Sequence, residues 1–352
     1  MIKNRILWLT LALATPILPV PAAAVTWTRV EEIPADDVFS IHHFGTTLYA
    51  GAANIVYIGA NDGESWTPTA VVDAAVPAIE TVVPAGGALW TGTFGQGVFR
   101  STNTGTSWQP VNTGLTGLGA SQVLELVEKG GDLFAATAGA GVFTLDLGTP
   151  TQWSGFNAGI PLSIAGNVGT LVESLGASKI PVGQQSVAST LVATAGANGF
   201  VYRFPDEATE WQEVAIVPPI SPGLLPTDLI AMGNDLFIGA PNRVFRSEDD
   251  ALTWTFKGSG IVQNTETFLA TDGTALFAGV DFQGNNHRIY SSTNRGDSWQ
   301  PIDEIPGVFL YAIATAGGKL FAARTDGLWW TPAVTAAVEE TTWGSLKSRF
   351  GK

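Results

Sequence analysis

Three observations predict the fold class of this 352-residue chain: all-β, a seven-bladed β-propeller closed by an N-terminal strand. The first is a set of tryptophans at Trp27, Trp66, Trp108, Trp153, Trp211, Trp254 and Trp299, spaced 39, 42, 45, 58, 43 and 45 residues apart, a period that marks radially repeated units. The second is a strand of leucine, a large apolar residue and two small residues, which recurs from Leu48-Tyr49-Ala50-Gly51 to Leu320-Phe321-Ala322-Ala323. The third is a mismatch at the ends. The last of these strands has no Trp-led strand after it, while the start of the chain has a spare one at Thr26–Val30. Pairing the spare strand with the last unit closes the ring and removes the exposed edges of an open sheet.

Taken in order, Met1–Arg5 is positively charged, Ile6–Val20 is apolar, and Ala22-Ala23-Ala24 is a run of small residues. This is the layout of a secretory signal peptide over residues 1–24. Pro16, Pro19 and Pro21 interrupt the run, which is also short for a membrane span, so no transmembrane segment is expected after its removal. The product is expected to be secreted, periplasmic or at the cell surface, of bacterial type and monomeric. Losing Lys3 and Arg5 takes the net charge from −14 to −16. A chain this acidic repels phosphate backbones and anionic lipid, so nucleic acid is not an expected partner. There is no Cys, which excludes both disulfides and a Cys-based metal site.

Residues 25–334 hold the repeats. In the second unit the expected strands are Ile79–Val83, Leu89–Thr93, Gly97–Ser101 and Trp108–Asn112. Small residues in the second strand let neighbouring sheets approach closely near the axis, and aromatics fill the wider outer space. The turn between the third and fourth strands is Ser101-Thr102-Asn103-Thr104-Gly105-Thr106-Ser107-Trp108. It returns as Ser292-Thr293-Asn294-Arg295-Gly296-Asp297-Ser298-Trp299, more loosely at Ser247–Trp254, and in part at Asn61–Trp66. A short polar side chain such as Asn103 hydrogen-bonds the backbone just ahead of it, and Gly105 supplies a positive φ. The pattern resembles the Asp-box, or BNR repeat, of sialidase-like and photosystem II assembly-factor-like propellers. That resemblance implies a hairpin at the outer edge of each blade with its polar side chains occupied by the turn, and a binding scaffold as one established use of the fold.

Unit four is long, and its extra segment Ala177–Ser186 is expected to be a loop between a first strand at Thr170–Ser174 and a second at Leu191–Thr194. Residues 335–352 read as a linker and tail. Leu346 and Phe350 lie four apart beside Lys347, Arg349 and Lys352, the one basic cluster of the mature chain, so this end is a sorting or docking tag, a frayed end, or a flap on the acidic surface.

The first strands line the axial channel in such folds, and here they carry Glu80, Glu125, Glu173, Asp228 and Glu266, with Ser40 and Tyr311 in neighbouring units. Carboxylates so placed can bind a ligand, serve as oxygen ligands for a hard cation, act as acid and base on a glycoside, or simply be solvated. No catalytic residue is assigned, and no cofactor or metal is expected. His42 and His43 are adjacent in a strand and point to opposite faces, and His287 is in another unit. The sialidase resemblance would require three convergent arginines. Arg100, Arg203, Arg243, Arg246 and Arg288 fall near the outer turns, which leaves Arg324 as the one candidate for the axis. The reading is an exported, non-catalytic binding or scaffold module for a protein or carbohydrate ligand. The alternative is a glycoside hydrolase of sialidase-like fold acting in the axial channel.

Overall fold

The computed structural model describes residues 25–160, 172–177, 190–195, 200–217, 226–241, 243–261, 266–282, 286–306 and 308–333, and every regular element within them is a β-strand. The signal segment, most of the unit-four insertion and the C-terminal tail lie outside the described residues. No described helix is long and apolar enough to cross a membrane.

The strands form seven antiparallel sheets. Their innermost strands are Ser40–Phe44, Ile79–Ala85, Val123–Lys129, Val172–Ala177, Asp228–Met232, Thr267–Thr271 and Leu310–Ala316, in blades one to seven. Each inner strand contacts the next, and that of blade seven contacts that of blade one, so the ring is closed. The closure is the expected one: Thr28 pairs with Trp330 and Arg29 with Trp329, adding an N-terminal outer strand to blade seven. Trp27 Nε1 then donates to Asp303 Oδ2 of blade six at 2.5 Å, and Val30 N donates to Leu328 O at 2.8 Å.

The apolar core lies between blades. Tyr49 and Val56 of blade one pack with Ile79, Leu89 and Trp108 of blade two, and Phe237 and Val244 of blade five pack with Leu276, Tyr290 and Trp299 of blade six. Close approach depends on the small residues that end the second strands. A Cβ on Gly92 would stand 2.6 Å from Val123 of the next blade, and one on Gly279 2.5 Å from Leu310. The repeated tryptophans reach back instead of forward: Trp153 Nε1 donates to Val111 O, Trp211 Nε1 to Phe156 O and Trp299 Nε1 to Lys257 O, each in the preceding blade.

The polar turns close as their residue types predict. Ser101 Oγ accepts from Gly105 N at 2.8 Å, and Asn103 Oδ1 accepts from Ser107 N at 2.9 Å, with Gly105 at φ 79°. Blade six repeats this at Ser292, Asn294, Gly296 and Ser298. Blade five does so with Ser247, Asp249 and Thr253, but there Ala251 takes the left-handed position at φ 63°.

Three details differ from the sequence expectation. The outer strand of blade two is only Gln109–Pro110, because Trp108 completes the turn before pairing begins. The inner strand of blade four is Val172–Ala177, shifted toward the insertion. Blade five has a fifth strand: Ile216–Val217, in the connection from blade four, pairs in parallel with Trp254–Phe256 and staples the two blades together.

Candidate functional site: the axial cavity

Antiparallel order fixes what each end of the ring carries. The hairpins joining first to second strands lie at one end of the inner strands. The connections entering each blade, and those joining second to third strands, lie at the other. The inner strands begin at this second end, called here the entry face.

A cavity of about 640 Å³ runs along the axis, lined among the described residues by the inner strands of blades one, two, three, five, six and seven. Glu80, Glu125 and Asp228 line it, near the entry face, with Ser40 and Tyr311. No Lys or Arg is among the described lining residues. The Glu173 side chain lies outside the described residues, although its backbone is on the blade-four inner strand. Glu266 departs from expectation: it precedes the blade-six strand, is exposed, and is not among the lining residues.

Register explains how the polar residues divide into two sets. Ser40 pairs with Gly51, Thr81 with Gly92, Glu125 with Ala136 and Asp228 with Gly239, so these four are equivalent positions opposite the small residue of the second strand. Each grips the scaffold. Ser40 Oγ donates to Ile79 O of the next blade at 2.9 Å, and Thr81 Oγ1 donates to Glu125 Oε1 at 3.1 Å. Asp228 accepts from Leu269 N of blade six and from Leu229 N, both at 2.7 Å. These residues clasp one inner strand to the next. Burial pushes the Asp228 carboxyl up to about 6, against the pull of its two N–H donors.

The second set lies one position earlier, at β-bulges. The register shifts between Ile79 and Thr81, between Val172 and Ser174, and between Leu310 and Ala312, which leaves Glu80, Glu173 and Tyr311 as the inserted residues. A bulge frees one residue from the ladder and re-aims it. Glu80 takes no recorded hydrogen bond from any described residue, and burial pushes its carboxyl up to about 7. The Tyr311 ring packs at a tilt against Phe39, with centroids 5.0 Å apart, and its hydroxyl donates to Asp37 Oδ1 at 3.3 Å. Its hydroxyl is pushed up to about 12 by burial, then by Asp37 and Glu80.

Arg324 is not in the cavity. It is buried, bonded through Nε and Nη2 to both oxygens of Asp326 at 2.8 and 2.7 Å, and stacked 4.5 Å from the Trp329 ring. Its planar fork meets a carboxylate two residues away in the turn, and that local partner holds it off the axis. At the end of the inner strand opposite the entry face, His43 Nε2 lies 3.6 Å from Asp62 Oδ1. Among the described residues, no three His, Asp or Glu side chains gather into a metal-binding group.

No protein-family model matches this sequence, and no curated protein matches it significantly. Many solved structures share the fold. The extracellular domain of BT4673 from B. thetaiotaomicron is 14% identical over 87% of this chain, with a TM-score of 0.64. This chain spans 39% of that one. YCF48 bound to D1 peptide is 11% identical, with a TM-score of 0.61, covering 90% of this chain and 98% of its own. A catalytically inactive virginiamycin B lyase from Staphylococcus aureus, with quinupristin, is 14% identical with a TM-score of 0.65, covering 88% of this chain and 99% of its own. At these identities the likeness shows the propeller fold.

Proposed function

We propose that this chain is an exported, non-catalytic Asp-box propeller that binds a ligand through the entry face of its axial cavity. One observation carries the reading: the cavity is lined by carboxylates and by no described Lys or Arg, and two of those carboxylates are tied to the scaffold. Sialidase-type chemistry needs arginines on the substrate carboxylate, and Arg324 is committed to Asp326. Glycoside hydrolysis of other types needs two carboxyl groups free to serve as acid and base or nucleophile. Among the described lining acids Asp228 is held by two backbone N–H groups, Glu125 by Thr81, and Glu128 accepts from Gly131 N at the far end of its strand, so Glu80 has no free carboxylate beside it at the entry face. Among structures of this fold, YCF48 has been seen with a peptide and BT4673 as an extracellular domain, which supports a binding role outside the cytoplasm. The basic tail at 341–352 is proposed as a sorting or docking segment separate from the site.

The test is thermal unfolding of the processed chain against oligosaccharides, divalent cations and peptides, since a ligand selective for the native state raises the midpoint by mass action. A shift lost on Glu80→Gln supports binding at the cavity. Turnover of a neuraminic-acid or other glycoside substrate, abolished by the same change, would replace this reading with the hydrolase. Sequencing the N-terminus of the exported protein checks the signal peptide, with Val25 as the expected first residue.

A further inference from the structure

The entry face carries apolar groups as well as acids. Six large hydrophobic side chains are exposed among the described residues, and three of them stand on this face next to the cavity mouth: Phe94 at 44% exposure, Leu118 at 76% and Phe309 at 49%. Their backbones place them there. Phe94 N donates to Ala78 O, just before the blade-two inner strand, and Phe94 bridges to Gln122, just before that of blade three. Leu118 lies in the connection entering blade three, its carbonyl against Gly139. Phe309 directly precedes the blade-seven inner strand, with Thr325 N donating to its carbonyl at 3.1 Å. Val71 is farther out in the connection to blade two, Leu252 is in an outer turn, and Phe256 is in an outer strand.

Around the mouth these residues lie among acids and aromatics. Blade seven brings Phe309 and Tyr311, blade one Asp37 and Phe39, blade two Phe94 and Glu80, and blade three Leu118 and Glu125. The arc over four successive blades therefore offers apolar contacts throughout and acidic contacts on blades one to three. Among the described residues the cations near this face are already engaged, Arg29 with Glu31, Arg324 with Asp326 and Arg288 of blade six with Glu304, or belong to Arg243 on the third strand of blade five.

We propose that the entry face over blades seven, one, two and three docks an extended basic segment of a partner protein in which Lys or Arg alternates with large apolar residues. This rests on the reading above that the face binds a ligand, and it adds the ligand's chemistry. In an extended chain successive side chains point to opposite sides, and the contacts offered suit its two kinds of residue: cations toward the carboxylate-lined mouth, apolar side chains onto Phe94, Leu118 and Phe309. A purely charged ligand would leave those three uncovered. A neutral apolar one would bury Glu80 uncompensated.

The experiment measures fluorescence anisotropy of three labelled peptides on the full processed chain: alternating Lys-Leu, Lys-Ser and Ser-Leu octamers. The expected result is binding of the Lys-Leu peptide at least tenfold tighter than either other. It should weaken about tenfold on Phe94→Ser or Phe309→Ser and on Glu80→Gln, and be unchanged by Leu252→Ser, the exposed apolar control elsewhere on the ring. Circular dichroism of each variant checks that it folds. Equal binding of Lys-Leu and Lys-Ser peptides, insensitive to Phe94 and Phe309, would mean charge attraction alone and overturn the proposal. Binding that emerges only when Lys347, Arg349 and Lys352 are replaced would also overturn it, since the occupant would then be this chain's own segment. If no peptide binds but another ligand gives a Glu80-dependent thermal shift, the basic-segment proposal fails while the binding face stands. If no ligand responds to Glu80, Phe94 or Phe309, the binding face itself fails.

Discussion

Glu80 stores a pH dependence that one substitution exposes. Its carboxyl is raised from an ordinary 4.5 to about 7 because the bulge turns it into the cavity lining, where burial desolvates it and no described donor meets it. The folded protein therefore holds a proton there that the unfolded chain has already lost at pH 6. Folded and unfolded states are equally protonated below about pH 4, so no penalty arises. Between pH 4.5 and 7 the folded state binds more protons, and stability falls as pH rises. Above 7 the cost is constant, about 3 kcal/mol at most, taking 1.36 kcal/mol per tenfold shift in proton affinity. Glu80 is only half-buried, which trims that value. Glu80→Gln keeps the shape and removes the ionisation. The variant should match the parent near pH 4.5 and exceed it above pH 7, by about 6 °C in midpoint if the full effect is realised in a ring of this size. Scanning calorimetry of both proteins at half-unit steps from pH 4.5 to 8.5 measures the gap between them, and effects of other acids, including Asp228, cancel in the difference. Parallel curves, or a gap that is largest at low pH, would refute the burial argument.

Three further outcomes follow from the scaffold. Ser101→Ala removes the acceptor for Gly105 N and should cost about 1 kcal/mol in urea unfolding, with Ser292→Ala costing the same through Gly296 N. Gly159→Ala should cost 2 kcal/mol or more, on the order of the strain of a left-handed residue plus a clash, because φ is 91° and the new Cβ would stand 2.2 Å from Trp211 O; a loss under about 0.5 kcal/mol in the same assay speaks against it. Trp27→Phe keeps the ring but deletes the donor to Asp303 Oδ2, and a midpoint drop equivalent to about 1 to 2 kcal/mol is expected if that bond helps seal the last blade.

The fold was legible because each blade repeats a local conflict with a local solution. Gly92 and Gly279 stand where a second strand presses on the next blade's inner strand, and Asn103 and Gly105 solve a turn that few other residues can make. Such constraints recur with the blade and are visible as a period. One recurring signal went unread: Asn112-Thr113-Gly114, Asn157-Ala158-Gly159 and Gly258-Ser259-Gly260 each place a left-handed glycine against the carbonyl of the next blade's tryptophan. Asn112 and Asn157 also accept from Val98 N and Val142 N. The spacing from one tryptophan to the next contained it, but the copies are short and the third has lost its asparagine. The fifth strand of blade five was not legible, since two residues of Ile216-Val217 carry no pattern that distinguishes a parallel staple from a loop.

The acids of the inner strands could be named from sequence, but their roles could not, because role depends on a register difference of a single residue. Glu80 and Thr81 are neighbours in the chain, yet one is the inserted residue of a bulge and the other grips the next blade. Asp228 reads like Glu80 in sequence and behaves like Thr81 in the ring. Bulges answer to the strain of closing the ring and leave no composition of their own. Arg324 shows the reverse case, where position suggested the axis and a local partner decided otherwise: Asp326, two residues on, offers a bidentate contact at almost no entropic cost, and a side chain so satisfied does not reach for a distant channel. The same logic separates the two faces of function here. Residues that hold the ring have their hydrogen bonds filled by neighbouring blades, whereas the Glu80 carboxyl takes no hydrogen bond from a described residue and the side chains of Phe94, Leu118 and Phe309 stay exposed although the backbone of Phe94 and the ring of Phe309 touch neighbouring blades, and that exposure around one mouth is what a ligand would account for.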